Sequence, residues 1–543
     1  MTIRAWLCFN AILLFAAIVC VREADCAEPP PGAGEPYALA SRKLVFTTWR
    51  FIRPGSFRWV NRAGQNVSVA GSEDAWGATL EKKDHPLGIR LVAQPAVKMG
   101  QVIRLDKSWE AHGVSLETVI QDGDIFRAWG VCADAGAKKY FCYFESKDGL
   151  HWERPEFDFV EYGGMRKNNL IDFAPGSVFK DPSAPPGERY KWVSLETISP
   201  EELEQFKRER PGDWDSKAIR NDVGHIYAIC GAVSPDGLRW KRLPGPLVVE
   251  HSDTQIVAFY DEARKQYVIF TRNYAIGARA PGAKENPTWW GGDAPGIGRR
   301  SIGRTESKDF RRFPLSRVVL EPGPERLPDD VFYTNCKTTI PGACDFPLLF
   351  PAIWHTSSDT TSIDLAVSDD GVNWHFLPGS PVMGTAPYGE WDGGCVFTRP
   401  NLIELAGGDL TLFYTGYNFP HKYPRGQLRF GSGAAVWPKG RLVAVEAVGR
   451  GEFATAAILP PGRKIQLNAL TSRAGHILVE IAGETGAPIP GREFARATAI
   501  VGDQPAAPLK WGENQDIGID PNKPVILRFR MDQAKLFAIE FTD

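Results

Sequence analysis

Four copies of a short aspartate turn recur along the middle of this chain of 543 residues. Three of the copies join Asp to Gly, and each copy ends on an aromatic residue. Asp-Gly supplies the positive φ of a tight turn, and an aromatic after the turn packs between neighbouring sheets. The copies are SKDGLHW (146–152), SPDGLRW (234–240), SKDFRRF (307–313) and SDDGVNW (368–374). This repeat restricts the chain to an architecture of similar β units that follow one another.

A second repeated unit consists of two apolar strands joined by a short polar turn. Five such hairpins occur, at 117–131, 176–195, 254–272, 336–355 and 395–417. With the strands at the Asp turns they form units of about four strands, and long-period repetition of such sheets is typical of a β-propeller. We expect the fifth unit to close with 428–437 and with an N-terminal strand at 43–52, which leaves no open edge. The repeat therefore predicts five blades.

The last hundred residues or so of the chain follow a different pattern. The Asp turns stop near residue 447, and segments such as 464–470 and 535–541 alternate apolar and polar residues as sandwich strands do. The predicted fold class is all-β, with a five-bladed β-propeller at 41–447 followed by a C-terminal β-sandwich at 448–543. One helix is predicted, after a capping box that begins at Ser199.

The N-terminus has the layout of a secretory signal peptide at residues 1–27. Arg4 precedes an apolar run that is too short for a membrane span, and small residues follow the run. A lipoprotein anchor at Cys20 is the alternative, but the three residues before it match a lipobox poorly. We therefore expect a secreted or periplasmic protein with a linker at 28–40 and no membrane span after signal removal.

Charge and cysteine content exclude several partners. Lys and Arg number 63 against 65 Asp and Glu, the net charge is −2, and no basic block occurs. Nucleic-acid binding needs a clustered positive surface, so no nucleic acid is expected as a partner. No cysteine or histidine spacing fits zinc, so no metal and no redox cofactor are expected. Cys336 and Cys344 flank a turn, where a disulfide and a pair of free thiols both remain open.

The Asp-turn repeats, the five hairpins and the trailing sandwich resemble the five-bladed propeller glycosidases. These are broadly the invertase/levanase and arabinanase/xylosidase families (glycoside hydrolase families 32 and 43), and the layout is most similar to the invertase type. The chain departs from these families in lacking WxNDPNG and a Glu-Cys acid/base motif, and Lys180-Asp181-Pro182 only approximates RDP. The resemblance implies a glycoside hydrolase that acts on an oligo- or polysaccharide.

The resemblance also implies where functional residues lie, because the first strand of each blade begins near the axis at the substrate face. Polar residues just before these strands are therefore the candidates for the site. Aspartates in the turns are expected to be structural, since Asp stabilises turns through local backbone bonds. These are Asp148, Asp181, Asp236, Asp261, Asp309 and Asp370.

Glycosidic cleavage requires one protonated and one ionised carboxyl group, and crowding or burial separates their pKa values. Glu110, Asp253 and Asp392 precede the first strands of blades one, three and five. The related families carry their general acid on blade three, so Asp253 is predicted as the acid/base. Glu110 is predicted as the nucleophile or water-activating base. Asp392 is predicted to bind hydroxyls or tune the other two, with Glu390 as its competitor.

Further polar and aromatic residues at these blade ends are predicted to bind the substrate. They are His112, Asn169, Gln255, Arg272, Arg300, Asn335, His355, Glu390 and Trp391. Arg272 and Arg300 suit a carboxylate or sulfate on a sugar, with a framework salt bridge as the alternative. Trp289 and Trp290, in an insertion at 277–298, suit stacking on a sugar ring, with loop packing as the alternative.

Three other functions fit parts of this pattern. A non-catalytic carbohydrate-binding propeller would keep the aromatic and polar rim without needing Glu110 and Asp253. A glycoside phosphorylase or transglycosidase would use the same pocket, with Arg272 and Arg300 available for phosphate. A sialidase-like enzyme has similar Asp turns but usually six blades, so the five units disfavour it.

Overall fold

The computed structural model describes residues 34–67, 77–220, 224–275 and 299–543. The predicted signal peptide and the Trp289-Trp290 segment lie outside the described residues. In the described part of the chain, no helix is both long and apolar enough to cross a membrane.

Six strands precede the first repeat unit and pair with different parts of the molecule. They are β1 (Tyr37–Ala38), β2 (Lys43–Leu44), β3 (Ser56–Val60), β4 (Thr79–Lys83), β5 (Arg90–Ala93) and β6 (Val97–Gln101). β3 and β4 form an antiparallel pair with each other. Short 3-10 helices lie at Ser108–Glu110, Pro186–Glu188, Ser216–Ala218, Arg425–Gln427, Pro438–Gly440 and Phe494–Arg496.

The first two repeat units are antiparallel sheets. The first contains β7 (Gly113–Asp122), β8 (Ile125–Ala133), β9 (Lys139–Ser146) and β10 (Leu170–Ile171). The second contains β11 (Ser177–Lys180), β12 (Tyr190–Ile198), β13 (Ile219–Arg220), β14 (His225–Ser234) and β15 (Lys241–Arg242). Helix α1 (Pro200–Glu209) follows β12 of this second sheet, and Ser199 and Glu202 form its capping box. The predicted helix is therefore confirmed.

The third and fourth units continue the series. The third contains β16 (Val257–Asp261), β17 (Gln266–Ala275), β18 (Arg299–Ser307) and β19 (Arg317–Leu320). The fourth contains β20 (Asp330–Phe332), β21 (Lys337–Ile340), β22 (Ala343–Leu349), β23 (Ala352–His355), β24 (Thr360–Ile363), β25 (Ala366–Val367), β26 (His375–Phe376) and β27 (Met383–Gly384). Breaks at Pro351 and Asp364 divide this unit into two four-stranded sheets, β20-β23-β24-β27 and β21-β22-β25-β26.

The fifth unit and the C-terminal sheet complete the chain. The fifth unit contains β28 (Cys395–Thr398), β29 (Ile403–Glu404), β30 (Leu410–Tyr417) and β31 (Phe430–Trp437). The C-terminal strands are β32 (Val443–Ala454), β33 (Ile458–Leu459), β34 (Lys464–Gly483), β35 (Asp503–Pro508) and β36 (Val525–Thr542). β36 pairs with β32 and β34, and β1, β2 and β5 join the same sheet. A sandwich domain that begins at 448 stays a prediction.

The prediction that a strand at 43–52 closes the fifth unit is wrong. β31 instead pairs with β6, through Val436 and Val97 among others. β2 pairs with β36, because Leu44 and the two residues after it are buried in one apolar cluster with the C-terminal strands. Burial of this apolar run against the C-terminal sheet therefore decides its partner.

The repeated aspartates form the predicted turns. Asp148 Oδ1 accepts hydrogen bonds from the backbone N–H groups of Leu150 and His151, at 2.9 and 2.8 Å. The equivalent aspartates accept similar backbone bonds, and they are Asp236, Asp309 and Asp370. The hairpin aspartates Asp181 and Asp261 likewise accept bonds from backbone N–H groups in their own turns. Their structural role is confirmed.

Apolar layers join each repeat unit to the next. Each layer contains buried side chains of two neighbouring units. These include Trp129 and Trp192 between the first and second units, Val193 and Ile269 between the second and third, and Phe270 and Ile353 between the third and fourth. Leu365 and Val396 join the fourth unit to the fifth, and Val114 and Phe413 join the fifth back to the first. The last unit thus contacts the first, and Phe430 of β31 pairs with Gly113 of β7 at that point.

Candidate active site

A cavity of about 550 Å³ lies where residues from all five repeat units meet. About half of its lining residues lie on the first strands or on the segments just before them. The polar lining residues include Glu117, Lys139, Ser177, Ser194, Asp253, Thr254, Gln255, Thr334, Arg399 and His421. Tyr333, Phe397 and Tyr417 contribute aromatic rings. An opening of this size, with few charged groups and several rings, fits a small-molecule site.

Asp253 lies at this cavity, on the segment before β16. Its carboxylate forms an ion pair with the buried guanidinium of Arg272, and its side chain keeps 44% of its surface exposed. Ser252 Oγ accepts a hydrogen bond from the backbone N–H of Arg272 at 3.0 Å, which fixes the segment against β17. Arg272 also contacts His251 Nδ1, at 3.0 Å. The predicted acid/base is therefore accessible and held by a positioned cation.

Glu117 is a second carboxylate of the cavity, and sequence reasoning missed it. It lies at a β-bulge, since the register of β7 and β8 shifts between Leu116 and Thr118. Bulges redirect side chains and are common beside active sites. Ser115 Oγ donates to Glu117 Oε1 at 2.6 Å, and Arg399 Nη1 donates to Oε2 at 2.5 Å. An acidic residue between the apolar Leu116 and Val119 of a first strand was the available signal.

Glu110 is buried and does not line the cavity. Both of its carboxylate oxygens accept from Arg154, at 2.7 and 2.8 Å. Burial raises the pKa of Glu110, and the hydrogen bond and charge of Arg154 oppose that shift. Glu110 therefore forms a bidentate ion pair with Arg154, outside the cavity lining.

Asp392 is likewise buried away from the cavity lining. Lys98 Nζ lies 2.6 Å from Asp392 Oδ2, and the Tyr414 hydroxyl donates to the same oxygen at 2.9 Å. These partners link β6 and β30, on either side of the fifth unit's last strand. Glu390, its predicted competitor, is exposed.

Four of the predicted binding residues lie at the cavity or support its wall. Gln255 lines it, accepts from the Cys336 N–H at 2.5 Å and donates to the Thr398 carbonyl at 2.7 Å. Asn335 donates to the Gln255 carbonyl at 2.9 Å. The Arg300 guanidinium lies 3.8 Å from the ring centroid of Tyr333, and Arg272 pairs with Asp253. These contacts tie the third, fourth and fifth units together around the cavity.

The other predicted binding residues make contacts outside the cavity lining. His112 Nδ1 accepts from Arg429 at 2.9 Å, and burial together with that cation lowers the pKa of His112. Asn169 joins Trp109 to the Tyr143 carbonyl. Trp391 stacks on Tyr414, with ring centroids 5.7 Å apart. His355 bonds to Asp330 and Ser362.

Among the described residues, the cysteines form no disulfide and no cluster of side chains fits a metal ion. Cys336 is buried, Cys344 is exposed, and both are free thiols. Over the described residues, no group of three or more His, Cys, Asp or Glu side chains is placed to hold a metal ion.

Comparisons with known proteins give structural neighbours alone. No protein-family model and no curated protein matches the chain. Similar solved structures include a thermostable family-43 glycoside hydrolase, with 15% identity, a TM-score of 0.37, and coverage of 61% of this chain and 93% of that one. The Bombyx mori GH32 beta-fructofuranosidase has 8% identity, a TM-score of 0.37, and coverage of 84% and 94%. The catalytic domain of the Coprinopsis cinerea GH62 alpha-L-arabinofuranosidase has 11% identity, a TM-score of 0.38, and coverage of 63% and 97%.

Proposed function

We propose that this chain is an exported glycoside hydrolase that cleaves an oligo- or polysaccharide with paired carboxylates in the central cavity. The observation that carries the proposal is that Glu117 and Asp253, from the first and third repeat units, line the same cavity. Each carboxylate is oriented by an arginine, Arg399 for the first and Arg272 for the second. Two fixed carboxyl groups facing one opening are what glycosidic cleavage requires.

The fold assignment that accompanies this function is a five-bladed β-propeller at 41–447 with a β-sandwich at 448–543. The cyclic succession of apolar layers between the five units supports the propeller. The first strands of a propeller converge on its axis, which accounts for a cavity lined by all five units. Export rests on the sequence of residues 1–27.

The two carboxyl groups differ in exposure, and this difference assigns their roles. Asp253 has 44% of its side-chain surface exposed, so in this proposal it is the group that reaches a leaving-group oxygen as the acid and later accepts a proton from water. Glu117 is deeper, with 22% exposed, and two donors fix its oxygens. In the proposed mechanism Glu117 is the nucleophile or the base that activates water, the role predicted for Glu110.

The proposed substrate is a carbohydrate because the cavity combines rings with hydrogen-bonding groups. Tyr333 and Phe397 lie 5.4 Å apart between ring centroids, and Tyr417 packs on Phe397. The apolar faces of a sugar pack on such rings, while hydroxyls bind nearby polar groups such as Gln255 and Thr334. This arrangement also suits a carbohydrate-binding protein, which the experiment below separates from an enzyme.

Glu110 and Asp392 are assigned structural roles in this proposal. Their bonds to Arg154 and Lys98 connect elements behind the cavity wall, and neither carboxylate faces the opening. Direct action of either residue on the substrate stays a prediction. The same holds for Glu390.

The test is hydrolysis of a panel of aryl glycosides and plant or algal oligosaccharides by the wild-type protein, Glu117→Gln and Asp253→Asn. Matched controls are Glu161→Gln and Asp124→Asn, because both side chains are exposed and lie outside the cavity lining. We expect each cavity variant to lose about 10²–10⁴-fold in kcat, and the controls to retain activity.

Three other results would redirect the assignment. Full activity in both cavity variants would refute the carboxylate pair and return attention to Glu110 and Asp392. Sugar binding without turnover of any substrate would favour the carbohydrate-binding alternative. Turnover that depends on added phosphate or on a sugar acceptor would favour phosphorolysis or transglycosylation.

A further inference from the structure

A Ser-His-Asp relay lies on one sheet of the fourth unit, outside the cavity lining. His355 Nδ1 is 2.8 Å from Asp330 Oδ1, and His355 Nε2 is 2.9 Å from Ser362 Oγ. The three residues lie on the adjacent strands β20, β23 and β24. Both distances are those of good hydrogen bonds.

The order of these bonds determines where the protons lie. A carboxylate accepts only, so the Asp330 bond places a proton on His355 Nδ1. His355 Nε2 is then the acceptor, and the Ser362 hydroxyl donates to it. A buried carboxylate that orients a histidine, which in turn accepts from a serine hydroxyl, is the arrangement that activates a serine nucleophile.

The exposure of the three groups matches their roles in such a relay. Asp330 is 7% exposed, and His355 retains 32% of its side-chain surface. Ser362 is half-buried and pairs in register with Gly384 of β27. A Cβ at Gly384 would meet nothing within 4 Å, so the space beside the serine on this face is open. The hydroxyl is therefore reachable from the edge strand.

A cation from the segment before β20 pairs with a residue that follows Ser362. Arg326 Nη1 pairs with Asp364 Oδ2 at 2.6 Å, and Asp364 follows Ser362 by two positions. The Arg326 guanidinium also lies 3.9 Å from the ring centroid of Phe376. The Arg326–Asp364 ion pair therefore fixes the segment that follows Ser362.

We propose that Ser362, His355 and Asp330 form a second catalytic site that hydrolyses carboxylic esters with small acyl groups. Ser362 Oγ forms a bond to the acyl carbon while its proton passes to His355 Nε2. The ester C–O bond then breaks, and the departing alcohol takes that proton. Water next attacks the acyl-serine, giving its proton to His355, and the free acid leaves as Ser362 regains its proton.

This site is distinct from the proposed glycosidase site but borders it. Trp354 directly precedes His355 on β23, and its ring packs on Tyr333 of the cavity wall at 5.9 Å between centroids. Neither Glu117 nor Asp253 takes part in the ester reaction. Loss of one activity is therefore expected to leave the other intact.

The first test is covalent labelling of the whole protein with a fluorophosphonate probe, with the modified residue located by peptide mass spectrometry. We expect labelling at Ser362 in the wild type and its loss in Ser362→Ala. Ser357→Ala is the control, because this exposed serine is in the same hairpin and outside the relay. Absence of labelling in the folded wild type, or labelling that persists in Ser362→Ala, would overturn the proposal.

The second test uses His355→Gln and hydrolysis of p-nitrophenyl acetate. Removal of a general base is expected to lower the rate by about 10²–10⁴-fold. The aryl glycosidase rate is measured in Ser362→Ala and is expected to stay near that of the wild type. Near-ultraviolet circular dichroism and thermal unfolding establish that each variant folds. An ester rate that is unchanged in folded His355→Gln would also refute the site.

Discussion

Glu117 and Arg399 join the first repeat unit to the fifth through an ion pair of 2.5 Å. Arg399 donates at the same time through Nε to Thr415 Oγ1, at 2.8 Å, and Thr415 lies 2.5 Å from Ser115. Ser115 in turn donates to Glu117. This closed set of polar contacts crosses the point where the last unit meets the first. The contacts that join the fifth unit to the first therefore also orient a carboxylate at the cavity.

Replacement of Arg399 by methionine tests whether this orientation matters for activity. The change removes one of the two donors to Glu117 and leaves a partly buried carboxylate with Ser115 alone. We expect kcat to fall by about 10²-fold on the best substrate of the panel, with a smaller change in KM. Steady-state kinetics measure this split. Arg311→Met is the control, because its guanidinium pairs with Glu188 on the exposed surface.

Glu110→Gln tests the structural role of the pair with Arg154. The variant replaces a fully buried carboxylate with a neutral amide and leaves the Arg154 guanidinium without this partner. Breaking a buried ion pair typically costs about 3–5 kcal/mol. The free energy of unfolding by urea is expected to fall by that order, while activity per folded molecule stays near the wild-type value. A large loss of kcat without loss of stability would instead place Glu110 in the reaction.

The sequence predicted the positions of the repeat units better than the residues that face the cavity. Asp-Gly turns are local, because Asp148 and its equivalents bond to backbone groups within three residues. Their spacing therefore indicated where the units lie. The prediction of Asp253 also followed from its place before a first strand.

Glu117 shows why the rest of the site was not predictable. Its direction depends on a bulge in β7, and the need for a bulge arises from pairing with β8 rather than from the local sequence. Glu110 and Asp392 precede first strands as expected, yet each pairs with a half-buried cation from another part of the chain, Arg154 or Lys98. Lys98 and Asp392 are far apart in sequence, so repeat offsets alone do not reveal the pair. The prediction for the strand at 43–52 was wrong for a similar reason, since apolar surface of the distant C-terminal strands determined its partner.

The buried carboxyl group of Glu250 is expected to make the free energy of unfolding depend on pH. Burial raises its pKa, and Ser316 and Thr271 donate hydrogen bonds that oppose the shift. A raised folded-state pKa means that the folded state binds the proton more tightly than the unfolded state. The stabilisation is full below the unfolded pKa of 4.5 and is lost as pH rises through the folded value.

Urea unfolding of the wild type and Glu250→Gln across this pH window measures that contribution. The wild type is expected to lose more unfolding free energy than the variant as pH rises, because glutamine does not titrate. Glu321→Gln, at an exposed position, should behave as the wild type does. Parallel curves for the wild type and Glu250→Gln would contradict the prediction.

Lys337 is expected to make the free energy of unfolding depend on pH in the opposite direction to Glu250. Burial lowers its pKa from 10.5 to about 7, and its Nζ donates to the Thr338 carbonyl at 2.9 Å and lies 4.3 Å from the Phe259 ring centroid. The folded state therefore binds this proton less tightly than the unfolded state. The stabilisation is present above pH 10.5 and is lost as pH falls toward and through about 7.

Lys337→Met keeps most of the apolar stem and removes the titrating group. We expect the variant to retain unfolding free energy between pH 9 and 7, where the wild type becomes less stable, and to be the more stable of the two at pH 7. Lys308→Met, at an exposed position, is the control and should follow the wild-type curve. A variant that loses stability with falling pH as steeply as the wild type would show that Lys337 remains protonated in the folded protein. In that case its contacts with Thr338 and Phe259 stabilise the charged ammonium rather than the neutral amine.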